Sequence, residues 1–271
     1  MAVRRRWGDP MLGNASPDVG LVGIAQDYLR SRPWLPGHWF FPAGAGPPPP
    51  RPDEQLGIDI AAAYDAAPQS GDQRTAELYK LLTRENLAQF EAVTAAGVKV
   101  LPWRKPGQPY ADSADLRRSF HTTGTLRVFL TRHGHGDDGE AGSHPLRGRS
   151  TVEAAGIPFA HNDVFRAVHD IFGHCMFDNS FGVRGEFAAA YCHLLMYPPP
   201  LHPLLFTEQV AQICWFFYGP HLLDARGLPR RAGDPGYVAP RDRPYPPQKW
   251  ALLDRELLDR YLTLFDSREN S

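Results

Sequence analysis

Hydrophobic positions along the chain recur mostly with helical spacing. The longest such stretch is 73–96, where leucines, Phe90 and Val93 share one side and Gly97 follows as a stop signal. Similar stripes predict helices over 19–30, 54–65, 113–120, 162–174, 184–197, 203–218 and 250–265. Two stretches, 98–103 and 125–131, are short and β-branched, which is typical of strands. The pattern predicts a mainly α-helical single domain with a small β hairpin or two-stranded sheet.

A run of four prolines at 47–50 interrupts this pattern early in the chain. Polyproline cannot join a helix or a sheet and is typical of an extended linker. We therefore predict an N-terminal arm and linker over 1–52, followed by a helical, metal-binding catalytic domain over 53–271. The aromatic residues before the prolines, Trp34, Trp39, Phe40 and Phe41, are expected to dock the arm onto the domain.

Composition excludes several classes of protein. The 271 residues carry a net charge of −1, so no global field attracts nucleic acid or an anionic membrane. No run of 18 apolar residues suits a membrane span, and no apolar segment of a secretory signal follows the basic start. Three cysteines without a CxxC pair favour a reducing cytoplasm and a role as small core residues. These features indicate a cytoplasmic protein that binds neither nucleic acid nor membrane, and they leave its oligomeric state open.

Candidate chemistry concentrates in the run NDVFRAVHDIFGH over 162–174. His169, Asp170 and His174 interrupt its apolar stripe. Two histidines five residues apart do not share a face of an ideal α-helix, which turns about 100° per residue. Gly173 is expected to loosen or end the helix and so bring both imidazoles to one cavity. Asp170 and His174, four apart, share a face already, so spacing leaves both ligand pairs open.

Two later helices supply further candidates. Glu186 and His193 lie two turns apart on one face of the helix over 184–197. Glu208 lies on a helix that is apolar nearly all round, so it is expected to be buried and to need a partner. Glu186 lies near a helix start, where the helix dipole stabilises a carboxylate without metal. We therefore prefer Glu208 to Glu186 as a metal ligand.

Two imidazoles and one carboxylate form the facial triad of non-haem Fe(II) oxygenases, although zinc accepts the same ligands. The leading prediction is an Fe(II) site of His169, His174 and Glu208 that activates O2 to hydroxylate a small substrate. Its predicted neighbours are the catalytic candidates Asp170, Glu186 and His193. The predicted substrate pocket is lined by Trp215, Phe181, Tyr191 and Arg166, with Phe217 beside them.

The segment His169-Asp-Ile-Phe-Gly-His174 resembles the HE(L)LGH segment of the pterin-dependent aromatic amino acid hydroxylases. Ser180-Phe181 and Trp215-Phe216 are similar to that family at comparable offsets, so the resemblance covers about residues 162–219. It implies a hydroxylase-like helical core, catalytic iron on His169 and His174, a pterin cofactor and an aromatic or amino-acid-like substrate. Asp170 stands where the family has glutamate, and no glutamate follows Trp215-Phe216, where the family has its third ligand. The same run also resembles small phage and actinobacterial proteins of uncharacterised function.

Three other interpretations remain open. An HD-type metal phosphohydrolase would use the dyad His169-Asp170, an upstream histidine (His121, His144 or His161) and a distal aspartate such as Asp224. A dinuclear iron oxygenase would add Glu186 and His193, and a non-catalytic binding protein would use the same groups as a structural network. The glycine-rich stretch 133–148, with His133, His135 and His144, is expected to be a mobile loop or lid over the site rather than a metal site.

Overall fold

The computed structural model describes residues 19–34, 46–51, 53–133 and 144–266. Trp39, Phe40, Phe41 and His135, together with most of the predicted lid, lie outside the described residues. Within the described part, the fold is mainly helical with two small sheets of two strands each. The mainly helical prediction is therefore confirmed.

The first four helices lie close to their predicted positions. They are α1 (Val19–Arg30), α2 (Glu54–Ala66), α3 (Gln73–Ala95) and α4 (Ser113–Thr123). Aspartates cap the last three by accepting a hydrogen bond from a backbone N–H of the first turn: Asp53, Asp72 and Asp112. Gly124 ends α4 in the left-handed conformation with φ of 61°.

The two predicted strands pair in parallel rather than as a hairpin. Strand β1 (Lys99–Pro102) lies beside β2 (Thr125–Val128), and α4 forms the connection between them. Parallel strands need such a crossover, because a short turn can only reverse the chain. Of the two forms predicted for this β element, the two-stranded sheet is confirmed and the hairpin is wrong.

A second sheet, absent from the prediction, leads directly into the site. Strands β3 (Arg149–Ala154) and β4 (Ile157–Ala160) form an antiparallel hairpin. Its turn places Ala155 and Gly156 at φ of 51° and 73°, the positive pair that a tight hairpin turn requires. The next residue, His161, begins the helix that carries the two histidines.

The helices after this hairpin are interrupted by two π-helical turns. Helix α5 (His161–His169) continues as a first π-helix, Asp170–Cys175. After α6 (Val183–Leu194), helix α7 (His202–Leu205) continues as a second π-helix, Phe206–Ala211, and then as α8 (Gln212–Tyr218). The terminal helix α9 spans Arg255–Thr263. Such single π turns are rare and often occur at functional sites.

Two groups of buried side chains hold these elements together. The larger includes Leu21 and Leu29 of α1 together with Val164, Val168 and other residues of α3 and α5. The smaller joins α2, α6, the second π-helix, α8 and α9. Helix α1, although N-terminal to the proline run, thus packs in the same core as the helix of the site.

Among the described helices, none has the length and apolar character that crossing a membrane requires. The three cysteines, Cys175, Cys192 and Cys214, are buried free thiols.

Candidate metal centre

The first π-helix brings the two histidines of the site together. Its hydrogen bonds join residues five apart, so His169 and His174 share a face that an α-helix would not give them. Their ring centroids are 5.0 Å apart and the rings are nearly perpendicular. The helical irregularity expected from the five-residue spacing is present as this π turn, which continues the helix instead of ending it.

Gly173 serves this arrangement through its size rather than through an unusual backbone conformation. A Cβ at this position would lie 3.2 Å from the Cβ and the carbonyl oxygen of Ala189 on α6, and 3.2 Å from Cε1 of His169. The absence of a side chain therefore lets α6 approach the histidine turn closely.

Helix α6 supplies the carboxylate of the site. Oε2 of Glu186 lies 3.5 Å from Nε2 of His174 and 4.0 Å from Nε2 of His169. The ligand atoms of these three residues all lie within 4.8 Å of one another, and they form the one such group found in the described part of the chain. The spacing suits a single ion held by two imidazoles and one carboxylate.

The tautomer of His174 follows from its neighbour. Nδ1 lies 3.0 Å from the carbonyl oxygen of Asn179, which can only accept, so Nδ1 carries hydrogen and Nε2 faces Glu186. Burial lowers the pKa of His174, but the carboxylates of Glu186 and Asp170 and the Asn179 carbonyl outweigh it and raise the pKa to about 9. The space between Nε2 of His174 and the carboxylate of Glu186 therefore favours a positive charge. A bound cation would supply this charge in place of the proton on Nε2.

His169 has the opposite electrostatic setting. Burial, reinforced by the nearby His174 and His193, lowers the pKa of His169 well below its ordinary value. The neutral imidazole is the form that binds metal. Its Nδ1 lies 3.4 Å from Nδ1 of His193, which leaves Nε2 on the side of Glu186.

His169 and Glu186 border a cavity of about 330 Å³ whose wall also includes Glu208, whereas His174 is buried and is not part of the lining. Part of this wall is apolar, formed by Phe165, Ile213 and Phe216, and part is polar, formed by Gln209, Gln212 and Gln248. Such a mixture of apolar surface and a few polar groups is characteristic of small-molecule sites.

The structure places Glu186, and not the predicted Glu208, beside the two histidines. Glu208 is buried, as predicted, but hydrogen-bond donors already satisfy its carboxylate. Tyr79 donates to its Oε1, the Nε2 of His144 lies 3.1 Å from the same oxygen, and Gln212 donates to Oε2 at 3.1 Å. The backbone N–H of Leu146 donates to Nδ1 of His144, so Nε2 of His144 is the protonated nitrogen. Glu208 thus lines the cavity, but it does not belong to the group formed by His169, His174 and Glu186.

Asp170 and two of the predicted substrate contacts border a second cavity, of about 360 Å³. Asp170 lines this cavity together with Arg166 and Phe181, and Arg166 also lines the first cavity. Burial raises the pKa of Asp170 to about 6, Glu186 adds to the rise, and His174 and Arg166 oppose it. Phe181 packs edge-on against His174 with ring centroids 4.8 Å apart.

Two of the predicted substrate contacts, Trp215 and Tyr191, line neither of these cavities. Nε1 of Trp215 donates to Asp65 at 2.8 Å, so this ring joins α8 to α2 instead of lining either cavity. Tyr191 stacks on Phe265 with centroids 3.9 Å apart, against the C-terminal end of the fold. The nearest aromatic neighbour of Trp215 in sequence, Phe216, lines the first cavity instead.

His193, predicted as a catalytic residue, is fully buried behind His169 and does not line the cavity. The partners that an HD-type site would need are also not gathered. His144 binds Glu208, His121 is exposed, and Asp224 pairs with Arg226. None of them joins a potential metal-binding group with His169 in the described ranges.

Helical spacing places Gln212 on the face of Glu208, but it gives no indication that Gln209, Gln248 and Tyr245 line the cavity. Gln209 follows Glu208 on a helix that was assigned to the core, and its pocket position depends on the π turn. Tyr245 lies in an irregular segment whose course no periodicity indicates.

No protein-family model, no curated protein and no solved structure matches this chain. The function proposed below therefore depends on the geometry of the site.

Proposed function

We propose that this chain is a non-haem Fe(II) oxygenase that hydroxylates a small, aromatic or amino-acid-like substrate with O2. The observation that carries the proposal is the convergence of His169, His174 and Glu186 beside a cavity large enough for a small molecule. Two neutral imidazoles and one carboxylate on one side of an ion are the ligand set of the facial-triad iron enzymes.

The residues present fit an Fe(II) ion. Both histidines direct Nε2 toward Glu186, and each Nδ1 faces another buried group. Glu186 is partly buried and faces both histidines, of which His174 favours the charged form and His169 the neutral one. A divalent cation would compensate this carboxylate in place of the His174 proton.

Iron held by these ligands would supply the activation of O2. One oxygen atom would enter a C–H bond of the substrate and the other would leave as water. This balance requires two protons and two electrons, and the electrons would come from an organic donor such as a reduced pterin.

The residues of the chain have separate tasks in this proposal. Phe165, Ile213 and Phe216 exclude water from an apolar part of the substrate. Glu208 and Arg166, which both line the cavity, orient its polar part by hydrogen bonds and charge. Glu208 is held in place by Tyr79 and His144, so its orientation does not depend on the substrate.

The first experiment is elemental analysis of protein purified without added metal, followed by anaerobic loading with Fe(II). We expect one iron per chain, an electron-spin signal on addition of nitric oxide, and O2 consumption with substrate and reductant. Glu186→Gln should lose iron and signal. Glu208→Gln, the same change of a carboxylate in the same cavity, should retain both.

A second candidate function is favoured by the ligand set alone, because zinc binds the same residues and catalyses hydrolysis. Zinc as the purified metal, with phosphatase or other hydrolase activity and no nitrosyl signal after iron loading, would replace the oxygenase proposal. If such activity is also lost in Asp170→Ala, the HD-type interpretation becomes the better one.

A further inference from the structure

His193 occupies a position behind the candidate metal centre that the proposed function leaves unexplained. Its side chain is completely buried, and it stands between His169 and polar groups of α3, of the segment after α6 and of the second π-helix. Its ring stacks on Phe165 with centroids 5.8 Å apart and meets Tyr197 edge-on at 4.8 Å. A histidine in the core needs partners for both ring nitrogens, and these partners determine where its single proton lies.

The partners of Nε2 place the proton on that nitrogen. The amide nitrogen of Gln89 donates to the Met196 carbonyl, which turns the amide oxygen of Gln89 toward His193 at 3.1 Å. The hydroxyl of Tyr197 donates to Asn86 at 2.6 Å, so its oxygen is free to accept from Nε2 of His193 at 2.8 Å. Both neighbours of Nε2 are therefore acceptors.

Nδ1 of His193 consequently carries the lone pair. The amide nitrogen of Gln209, on the second π-helix, lies 2.9 Å from this nitrogen. Nδ1 of His169 lies 3.4 Å from the same nitrogen, so the two neighbours share its single lone pair in a three-centre arrangement. Because two acceptors cannot face each other favourably, Nδ1 of His169 must carry hydrogen, and its Nε2 then carries the lone pair.

We propose that His193 is the positioning residue of the centre: it accepts the Nδ1–H of His169 and thereby directs the lone pair of His169 Nε2 toward Glu186 and His174. The proposal rests on the proposed function in treating His169 as a metal ligand. Asn179 does the same for His174 through a backbone carbonyl, so each candidate ligand has its own partner at Nδ1. The task of the buried network of Gln89, Tyr197 and Gln209 is to hold His193 in the accepting tautomer.

The test compares two replacements of His193. His193→Phe keeps a flat ring beside Phe165 but removes the acceptor, whereas His193→Gln retains an acceptor oxygen. His202→Gln is the control, because His202 contacts the Tyr197 carbonyl at 3.1 Å without touching His169. Imidazole nitrogen chemical shifts of the metal-free protein report the tautomer of each histidine, and loss of a signal in His169→Gln assigns the resonance.

In the parent protein we expect His169 to carry its hydrogen on Nδ1 and His193 on Nε2. In His193→Phe the hydrogen of His169 should move to Nε2, and the affinity for Co(II) should fall by about 10- to 100-fold. His193→Gln and the control should keep the parent tautomer and affinity. A parent His169 with hydrogen on Nε2, or a tautomer that is unchanged in His193→Phe, would overturn the proposal.

Gln209→Glu provides a second route if His193→Phe does not fold. A carboxylate of the same shape requires a hydrogen on Nδ1 of His193, so His193 can no longer accept from His169. The same shift in the His169 tautomer is expected, and its absence would count against the positioning role. Because the tautomer is read without metal, a parent protein that shows the expected tautomers but binds no Co(II) supports the positioning role while contradicting the proposed function.

Discussion

The hydrogen-bond partners of individual side chains decide which groups of this site are available to a cation. Glu208 and Glu186 are both buried or partly buried acids beside one cavity. Three neutral donors satisfy Glu208, whereas Glu186 faces two imidazoles. Burial of a carboxylate therefore does not by itself identify a candidate ligand. The groups that compensate its charge do, because hydrogen-bond donors from the protein leave no need for a cation.

His169 and His193 make stability sensitive to acid, whereas His174, with its pKa raised to about 9, stabilises the native state at low pH and loses this contribution as the pH rises toward 9. Burial lowers the pKa of His193 to about 3 and that of His169 well below its ordinary value, so the native state does not bind these protons when the unfolded chain does. Stability from these two groups is complete above about pH 6.5 and decreases as the pH falls, down to about pH 3 for His193, by up to about 1.4 kcal/mol per pH unit for each. Asp170, with a pKa of about 6, offsets part of this loss. As the pH falls, its carboxylate gains a proton in the native protein before it does so in the unfolded chain.

We therefore expect the free energy of unfolding of the metal-free protein to fall between pH 6.5 and pH 5. Urea unfolding at several pH values measures this slope. His193→Gln removes about one proton from the difference between the unfolded and native states, so the slope of the free energy of unfolding against pH should decrease by about 1.4 kcal/mol per pH unit. An equal slope in both proteins would show that His193 is protonated in the native state.

Trp215 offers a test of its corrected position. Its Nε1 donates to Asp65 at 2.8 Å and its ring is 8% exposed, so Trp215→Phe removes a hydrogen bond to a charged group. We expect a loss of about 1.5–3 kcal/mol in stability. Iron content and substrate affinity should stay at the parent level, and a specific loss of substrate affinity would return Trp215 to the pocket.

At the scale of elements, close packing between the histidine turn and α6 positions the three candidate ligands. Gly173 allows contact with Ala189, and Gly185 lies against the backbone of Ser180 in the turn before α6. Both glycines therefore stand at close approaches, next to His174 and Glu186 respectively. Side chains at these positions would push the elements apart and disturb the spacing of the ligands.

Gly185→Ala tests this packing. The added Cβ would overlap the backbone nitrogen and carbonyl oxygen of Ser180, which cannot move independently of the chain. We expect the free energy of unfolding to fall by about 1–3 kcal/mol. We also expect weaker metal binding, because Glu186 would be displaced.

Gly23→Ala in α1 is the matched control, because its Cβ would meet no atom within 4 Å. It should be neutral or stabilise the protein by about 0.5–1 kcal/mol, since alanine favours a helix interior over glycine. Thermal unfolding of both variants decides the comparison, and equal stability changes would show that Gly185 has no packing role.

At the scale of the whole molecule, a metal would bridge elements from both groups of buried side chains. His169 and His174 belong to the helix buried in the larger group, and Glu186 belongs to α6, whose Phe187 and Ala188 pack in the smaller one. An ion at this junction binds the folded chain and not the separated ligands. Binding should therefore stabilise the fold as a whole.

We expect Fe(II) or Co(II) at a concentration 100 times the dissociation constant to add about 2.7 kcal/mol to the free energy of unfolding. Thermal unfolding with and without metal, under anaerobic conditions for iron, measures the effect. Glu186→Ala should show no metal-dependent shift, and Glu208→Gln should show the full shift. A shift that survives in Glu186→Ala would place the metal elsewhere.

Local spacing determined much of this protein directly from its sequence. Apolar stripes located α1 to α4 within a few residues, because a helix that buries one face must repeat its apolar positions every three or four residues. The same stripe, interrupted by His169 and His174, located the candidate site. The need for a helical irregularity followed from the five-residue spacing alone, since an α-helix would direct the two side chains differently.

Tertiary structure decided which acid meets the histidines, and where the cavity lies. Helical spacing places Glu186 and Glu208 each on a face of its own helix, but it contains no information on which helix packs against His169 and His174. The contact of Gly173 with Ala189 brings α6 to that position, while Tyr79 and His144, distant in sequence, satisfy Glu208. Long-range contacts of this kind leave no periodic signal in the chain, because they depend on how separate elements meet.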